Sequence, residues 1–353
     1  MRSSQYKRLG DYIEPHCEKN VGLTVNLSQG INNNKYFQNP RQVAQNSEND
    51  QIVRKGQFAF NKATTRNGDK ISIAYRDGED CTVSSAYQVF SIKDEEKLNP
   101  YYLLLWFKRP EFDRYARFKS HGSAHEFFTW EEMCNVMLPV PPISEQRRIV
   151  NEYQTVERRI ANNEALIQKL EETAQAIYHH TFVEGIDVEN LPEGWKMGKL
   201  EDIASFSNGK VLSPKGGSLP VYGGNGIVGY TDVENANDVI VIGRVGVSCG
   251  CLYFNRGKCW INDNAIKAYS KNRNNVYLFF LLKEKQLNSL SEGSGQPLLT
   301  QTILNSISCL VPPQNIIDDF DNKANILVEY IDVLSQETRH LHTLLTLLTS
   351  KLS

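Results

Sequence analysis

Apolar and polar positions along this chain follow two rhythms, and each rhythm occurs twice. From residue 149 to 177 the steps are four and three: Ile149, Tyr153, Val156, Ile160, Asn163, Ile167, Leu170, Ala174 and Ile177, with Asn163 the polar interruption. Adding 171 gives Phe320, Ala324, Leu327, Ile331, Leu334, Thr338, Leu341, Leu345 and Leu348, in the same steps with Thr338 as the interruption. A surface helix of period 3.6 drifts about 20° per heptad, so a seam that holds its place predicts a helix facing another helix. Two equal seams predict that the helices pair, with Asn163 and Thr338 as buried polar positions that restrict register. The pattern leaves parallel and antiparallel pairing open.

The second rhythm is that of short strands. Ile52–Arg54, Gln57–Phe60, Lys70–Ala74 and Val83–Phe90 are β-rich and are punctuated by Gly56, Asn67-Gly68 and Asp77-Gly78. Helical spacing follows in Tyr101–Arg109 and Phe112–Phe118, and Thr129-Trp130-Glu131-Glu132 reads as a capping box. Later in the chain Asp238–Ile242, Ser248–Phe254 and Ala265–Tyr269 predict strands, and Val276–Lys283 predicts a helix like Tyr101–Lys108. The copies also match residue by residue. Gly122-Ser123 leads through Phe127, Phe128, Thr129, Met133 and Val136 to Val140-Pro141-Pro142. Gly293-Ser294 leads through Leu298, Leu299, Thr300, Leu304 and Ile307 to Val311-Pro312-Pro313. The expected organisation is therefore α+β and duplicated: a globular mixed α/β part in 1–142, a long helix in 143–185, a second globular part in 186–313 and a second long helix in 314–353. From Ile149 to Ile177 such a helix rises roughly 42 Å, enough to hold two reading heads about one DNA turn, roughly 34–36 Å, apart.

Composition narrows the class. The 353 residues exceed one ordinary core, and 40% hydrophobic with 23% charged residues is a globular balance. No apolar run approaches the roughly 20 residues that span a bilayer, so no membrane partner is expected. The first residues lack a signal peptide's apolar core. Seven cysteines without framework spacing point to a reducing, cytoplasmic setting. The net charge of −2 is unevenly spread. Basic residues outnumber acidic ones 19 to 17 in 1–142 and 12 to 11 in 186–313, but fall short 5 to 7 in 143–185 and 3 to 6 in 314–353. Mildly basic heads on acidic helices fit a nucleic-acid binder that relies on a partner for much of its affinity.

No set of residues predicts catalysis. Gly224-Asn225-Gly226-Ile227-Val228-Gly229 has the form of a dinucleotide fingerprint, but Tyr230-Thr231-Asp232 opens no helix to receive a pyrophosphate. The expectation is a Gly-rich loop that lets backbone approach a partner. Asn99-Pro100-Tyr101-Tyr102 resembles the N-P-P-Y element of adenine methyltransferases but lacks the second proline, and reads better as a helix start. A DNA methyltransferase with its own catalytic site is thus the alternative reading. Cys249, Cys251 and Cys259 lack paired metal-ligand spacing and read as buried strand cysteines. His121 and His125 stand in no nucleophile–base pattern, and no metal is expected.

Side chains suited to base edges and phosphates are plentiful in the loops. In the first part they are Asn61, Lys62, Arg66, Lys70, Ser84, Ser85 and Tyr87, with Asn67 beside them. In the second they are Asn208, Lys210, Tyr222, Asn225, Arg244, Asn262, Asp263 and Asn264, with Lys215 beside them.

Two globular parts, each followed by Pro-Pro and a heptad helix, resemble the specificity subunit of type I restriction-modification systems. Pro141-Pro142-Ile143-Ser144-Glu145-Gln146-Arg147-Arg148-Ile149 is similar to that family's boundary between recognition domain and helix. Leu191-Pro192-Glu193-Gly194-Trp195-Lys196 is similar to the entry into its second domain. Val221–Gly226, Ile242–Gly246 and Trp260–Ala265 resemble a common type of its recognition domain. The second copy departs after Pro313, where Gln314-Asn315-Ile316-Ile317 lacks the Glu-Gln pair. The resemblance implies two target-recognition domains joined by antiparallel helices, each domain reading half of a bipartite sequence in double-stranded DNA. It implies two docked methylation subunits and further restriction subunits as partners. It also implies no catalysis in this chain: S-adenosylmethionine, ATP and Mg would be bound by the partners.

Overall fold

The computed structural model describes residues 6–40, 47–63, 70–120, 126–214, 216–290 and 297–352. Arg66, Asn67, Gly68, His121, Gly122-Ser123, His125, Lys215 and Gly293-Ser294 lie outside the described residues. The chain forms two compact units, one of residues 1–162 with 338–353, the other of 163–337. Each unit takes one head and a length of both long helices, which run over Ile143–Phe182 and Gln314–Ser350.

In the first head a four-stranded antiparallel sheet has the order Ile13–His16, Tyr87–Ile92, Phe58–Asn61, Ile73–Tyr75. In the second head the order Ala204–Asn208, Ala265–Ser270, Ala236–Gly243, Leu252–Ile261 repeats it, and a hairpin of Leu219–Gly223 and Gly226–Thr231 extends the sheet to six strands. Each head closes in the same way. Tyr6–Arg8 pairs with Met137–Pro139, and Lys196–Lys199 pairs with Ser308–Val311. One apolar helix backs each sheet, Pro100–Phe107 in the first head and Asn275–Glu284 in the second. These helices are apolar nearly all round because each is buried between sheet and long helix. In the first head Phe58, Phe60, Phe90, Tyr102, Phe107 and Phe128 are all essentially inaccessible, with Phe58 stacked on Phe90 at 5.0 Å.

Duplicated capping residues set the short helix before each Pro-Pro. Thr129 accepts a hydrogen bond from the Glu132 backbone N–H at 3.2 Å and Thr300 one from Ile303 at 3.2 Å. Asn99 likewise caps its own helix, accepting from the Tyr102 N–H at 3.1 Å, so the Asn-Pro-Tyr-Tyr run is a helix start.

All nine seam positions of each long helix are buried or half-buried. In the second unit the two helices run antiparallel. Asn163 Nδ2 donates to Glu337 Oε2 at 2.9 Å, while Tyr178 and Phe182 lie 5.7 and 5.2 Å from the Phe320 ring. In the first unit Val150 and Tyr153 share a core with Leu345, Leu348 and Leu352. The helices do more than pair. Tyr178, Phe182, Ile317, Phe320 and Val328 bury against Tyr277 and Phe280 of the second head. Packing on a head and pairing with a helix are thus both realised, on adjacent stripes. The second helix also carries exposed apolar residues at the same four-three steps, Ile326, Tyr330 and Val333 in one unit and Leu344 and Leu347 in the other.

Several local expectations are corrected. Ser248–Phe254 is not one strand: Gly246 and Gly250 take positive φ (66° and 84°), the chain turns through Gly246–Cys251, and the strand is Leu252–Ile261. Val83–Phe90 is broken by Ser84–Ala86, where the Tyr87 N–H donates to Ser84 O at 3.0 Å. The strand expected over Lys70–Ala74 forms over Ile73–Tyr75. The Gly-rich loop at 224–229 is the turn and second strand of the hairpin, closed by Tyr222↔Ile227 and Gly223↔Gly226 pairing. Of the three neighbouring cysteines only Cys259 is a buried strand residue. Cys249 is buried in the turn and Cys251 is exposed.

Candidate nucleic-acid interface

In each head most of the described sequence-selected residues gather at one end of the central sheet, because that is where the two middle strands begin and end. In the second head strand Ala236–Gly243 ends opposite the start of Ala265–Ser270, with Gly243 paired to Ala265. Arg244 follows directly, and Asn262, Asp263 and Asn264 immediately precede the partner strand. The Arg244 N–H donates to Asn264 O at 3.0 Å, and its carbonyl accepts from the Leu299 N–H at 2.9 Å, so the backbone under this guanidinium is held from both sides. Arg244 Nη1 lies 3.5 Å from Asp263 O, and its Nε has no acceptor. Among the described residues no carboxylate pairs with it, which leaves a half-buried cation facing a polar rim.

Asn208 and Lys210 join the same rim. The Gly209 N–H donates to Ala265 O at 3.0 Å and the Lys210 N–H to Ile261 O at 3.0 Å. Tyr222 enters through its carbonyl, which accepts from the Asn262 N–H at 2.9 Å, and Asn225 is exposed at the hairpin turn. Close approach of these segments demands glycine at two points. A Cβ on Gly209 would stand 1.9 Å from Asn262 O, and one on Gly243 would stand 2.7 Å from Gly224 O. These two glycines therefore bring backbone to backbone inside the head. Asn262 Oδ1 accepts from the Asn264 N–H at 2.9 Å, so part of its hydrogen-bonding capacity shapes the turn.

The first head builds the same corner. Asn61 ends its strand opposite Tyr87, as Gly243 does opposite Ala265. Lys62 follows as Arg244 does. The bridge Ala63↔Phe127 matches Val245↔Leu298, and the Phe128 N–H donates to Lys62 O at 2.9 Å just as Leu299 does to Arg244 O. Ser84 and Ser85, both exposed, take the places of Asn262 and Asp263. Asn61 Oδ1 accepts from the Ala63 N–H at 3.0 Å, and the Tyr87 hydroxyl accepts from the Ile31 N–H at 3.4 Å; burial pushes that phenol above its ordinary pKa. Lys70 does not join the corner. It lines a different cavity of about 370 Å³ with Lys35, Asp113, His342 and Leu345.

Sequence reasoning missed the buttresses of the second corner. Trp260 Nε1 donates to Lys210 O at 2.8 Å, and Asn235 exchanges hydrogen bonds with the Ile261 backbone at 2.9 and 2.8 Å. Trp260 stood within a motif already noted; nothing in the sequence distinguishes Asn235.

Three comparisons place this architecture among known proteins. Residues 7–172 and 192–340 match the family model of the type I restriction modification DNA specificity domain. A 173-residue stretch is 27% identical to the type I restriction enzyme MjaVIII specificity subunit of Methanocaldococcus jannaschii, taking in 41% of this chain and 40% of that subunit. The fold is similar to the crystal structure of the type I restriction-modification S subunit from M. genitalium, with a TM-score of 0.68 and 16% identity over 100% of this chain and 97% of that one. With both copies of its repeat matched by the family model, the chain belongs to the type I restriction-modification DNA specificity family.

Proposed function

We propose that this chain is the DNA sequence-specificity subunit of a type I restriction-modification complex, each head reading one half of a bipartite site in double-stranded DNA. The observation that carries this reading is the repeated corner: Lys62 and Arg244 occupy equivalent strand ends, each beside a polar turn, Ser84-Ser85 or Asn262-Asp263-Asn264. A cation fixed at its backbone beside hydroxyl or amide groups suits direct readout, since arginine and lysine recognise guanine edges and asparagine recognises adenine. The two cations differ, and so do the turns, which fits two unlike half-sites.

The long helices serve as spacer and docking platform for two methylation subunits. The exposed Ile326, Tyr330 and Val333, and separately Leu344 and Leu347, offer apolar surface for such partners. Restriction subunits complete the endonuclease. S-adenosylmethionine, ATP and Mg are bound by those partners, this chain is not itself an enzyme, and the assembly works in the cytoplasm.

The test is to co-express the chain with its methylation subunits in a host lacking adenine methylation and to map the methylated adenines. The expected result is one two-part sequence with a fixed, unread gap. A single contiguous motif, or methyl transfer by the purified chain alone, overturns the reading.

A further inference from the structure

In the second head the usual rule of burial is inverted over one short turn. Of the eight residues Gly243–Gly250, seven are buried or half-buried, and the eighth, Val247, is fully exposed. The turn itself is firmly held. The Gly246 N–H donates to Pro297 O at 3.0 Å, Cys249 N–H to Gly246 O at 3.0 Å and Gly250 N–H to Gly243 O at 2.8 Å. Gly246 sits at φ 66°, and a Cβ on Gly243 would stand 2.1 Å from Ser248 O. An aliphatic side chain is thus held out in water by a pinned backbone, where it contributes nothing to the core.

Arg244 lies three residues earlier, between the strand end at Gly243 and the turn, its guanidinium beside Asp263 O. A cation and, three residues on in the chain, an exposed branched aliphatic tip are the two chemistries that suit two features of the major groove. These are the guanine O6/N7 edge and the C5-methyl of thymine.

We infer that Val247 is a specificity-determining contact, its isopropyl group packing on the C5-methyl of a thymine in the half-site read by the second head. This rests on the specificity-subunit reading above. Arg244 supplies the polar contact in the same half-site and Val247 the apolar one.

The test uses the complex of this chain with its methylation subunits and duplex oligonucleotides carrying the mapped site. Each thymine is replaced in turn by deoxyuridine, which lacks only the C5-methyl. The wild-type complex is expected to bind about fourfold more weakly when one particular thymine of one half-site is replaced, the effect of one buried methyl-sized group. Val247→Ala and Val247→Ser are expected to bind thymine and deoxyuridine equally there, with unchanged melting temperature and unchanged response in the other half-site. A wild-type complex indifferent to deoxyuridine at every position overturns the inference, as does a half-site without thymine. So does a Val247→Ala complex that keeps the deoxyuridine penalty but assembles poorly, which would make Val247 a protein contact. A methylation map with no bipartite site would instead remove the specificity-subunit reading itself.

Discussion

Arg244 and Lys62 show how one residue's meaning depends on its neighbours in space. In the sequence each is a cation after a β-rich run. In the structure each has its carbonyl fixed by an N–H from the segment before the short helix that precedes Pro-Pro, Leu299 or Phe128, and stands next to the opening of the adjacent strand. Arg244→Ala is expected to relax base preference at one position of one half-site by roughly tenfold or more, the scale of a lost guanine contact, with the other half-site unaffected. Lys62→Ala should do the reverse. Methylation maps of the two variant complexes read both effects, and uniform weakening on all sequences would mark these cations as phosphate contacts. Lys70 shows the opposite case, since an equally suitable side chain eight residues on from Lys62 lines a cavity beside the second long helix instead.

At the scale of elements, the departure of the second copy after its Pro-Pro has a structural cause. Gln146, wholly buried, accepts from the Asn99 N–H at 2.8 Å and donates to Lys97 O and Pro141 O at 3.0 and 2.8 Å, tying the first long helix to its head. Its counterpart 171 residues on is Ile317, which is buried among apolar neighbours. The polar tie moves to Asp321, whose Oδ1 accepts from the Tyr277 N–H at 2.9 Å at the start of the head helix. Burial pushes that carboxyl above its ordinary pKa, so its stabilising contribution is complete below the ordinary carboxylate range and declines as pH rises through the shifted value. Asp321→Ala should cost about 1–2 kcal/mol in urea unfolding, as loss of a helix cap does. Asp321→Asn keeps the acceptor without the charge, and should retain the stability while flattening its pH dependence.

At the scale of the whole molecule, duplication makes half a chain nearly self-sufficient. A fragment of residues 1–185 keeps one head and one helix but leaves Tyr178 and Phe182 without Tyr277 and Phe320, their ring contacts in the full chain. The position of Leu345, which packs on the first head, is matched by Ala174 in this fragment, and that of Leu348 by Ile177. The fragment is therefore expected to dimerise, with a sedimentation mass twice that of the monomer, and to direct methylation to a symmetric site. A monomer at micromolar concentration would contradict this.

The heptad seam, the capping threonines and the 171-residue repeat were legible in the sequence because they rest on local periodicity and on hydrogen bonds within one turn. The resemblance of the motifs carried the family. Tertiary structure alone decided which loops meet. The corner at Gly243 and Ala265 is built by strands whose partners are distant in sequence, and the close backbone approaches at Gly209, Gly224 and Gly243 are set by segments that meet only in the fold. Strand pairing is a non-local choice, and a turn such as Gly246–Cys251 is fixed by carbonyls that come from elsewhere in the chain, Pro297 among them. For that reason the exposure of Val247, which stands between two predicted strands, could not be read from its own neighbourhood.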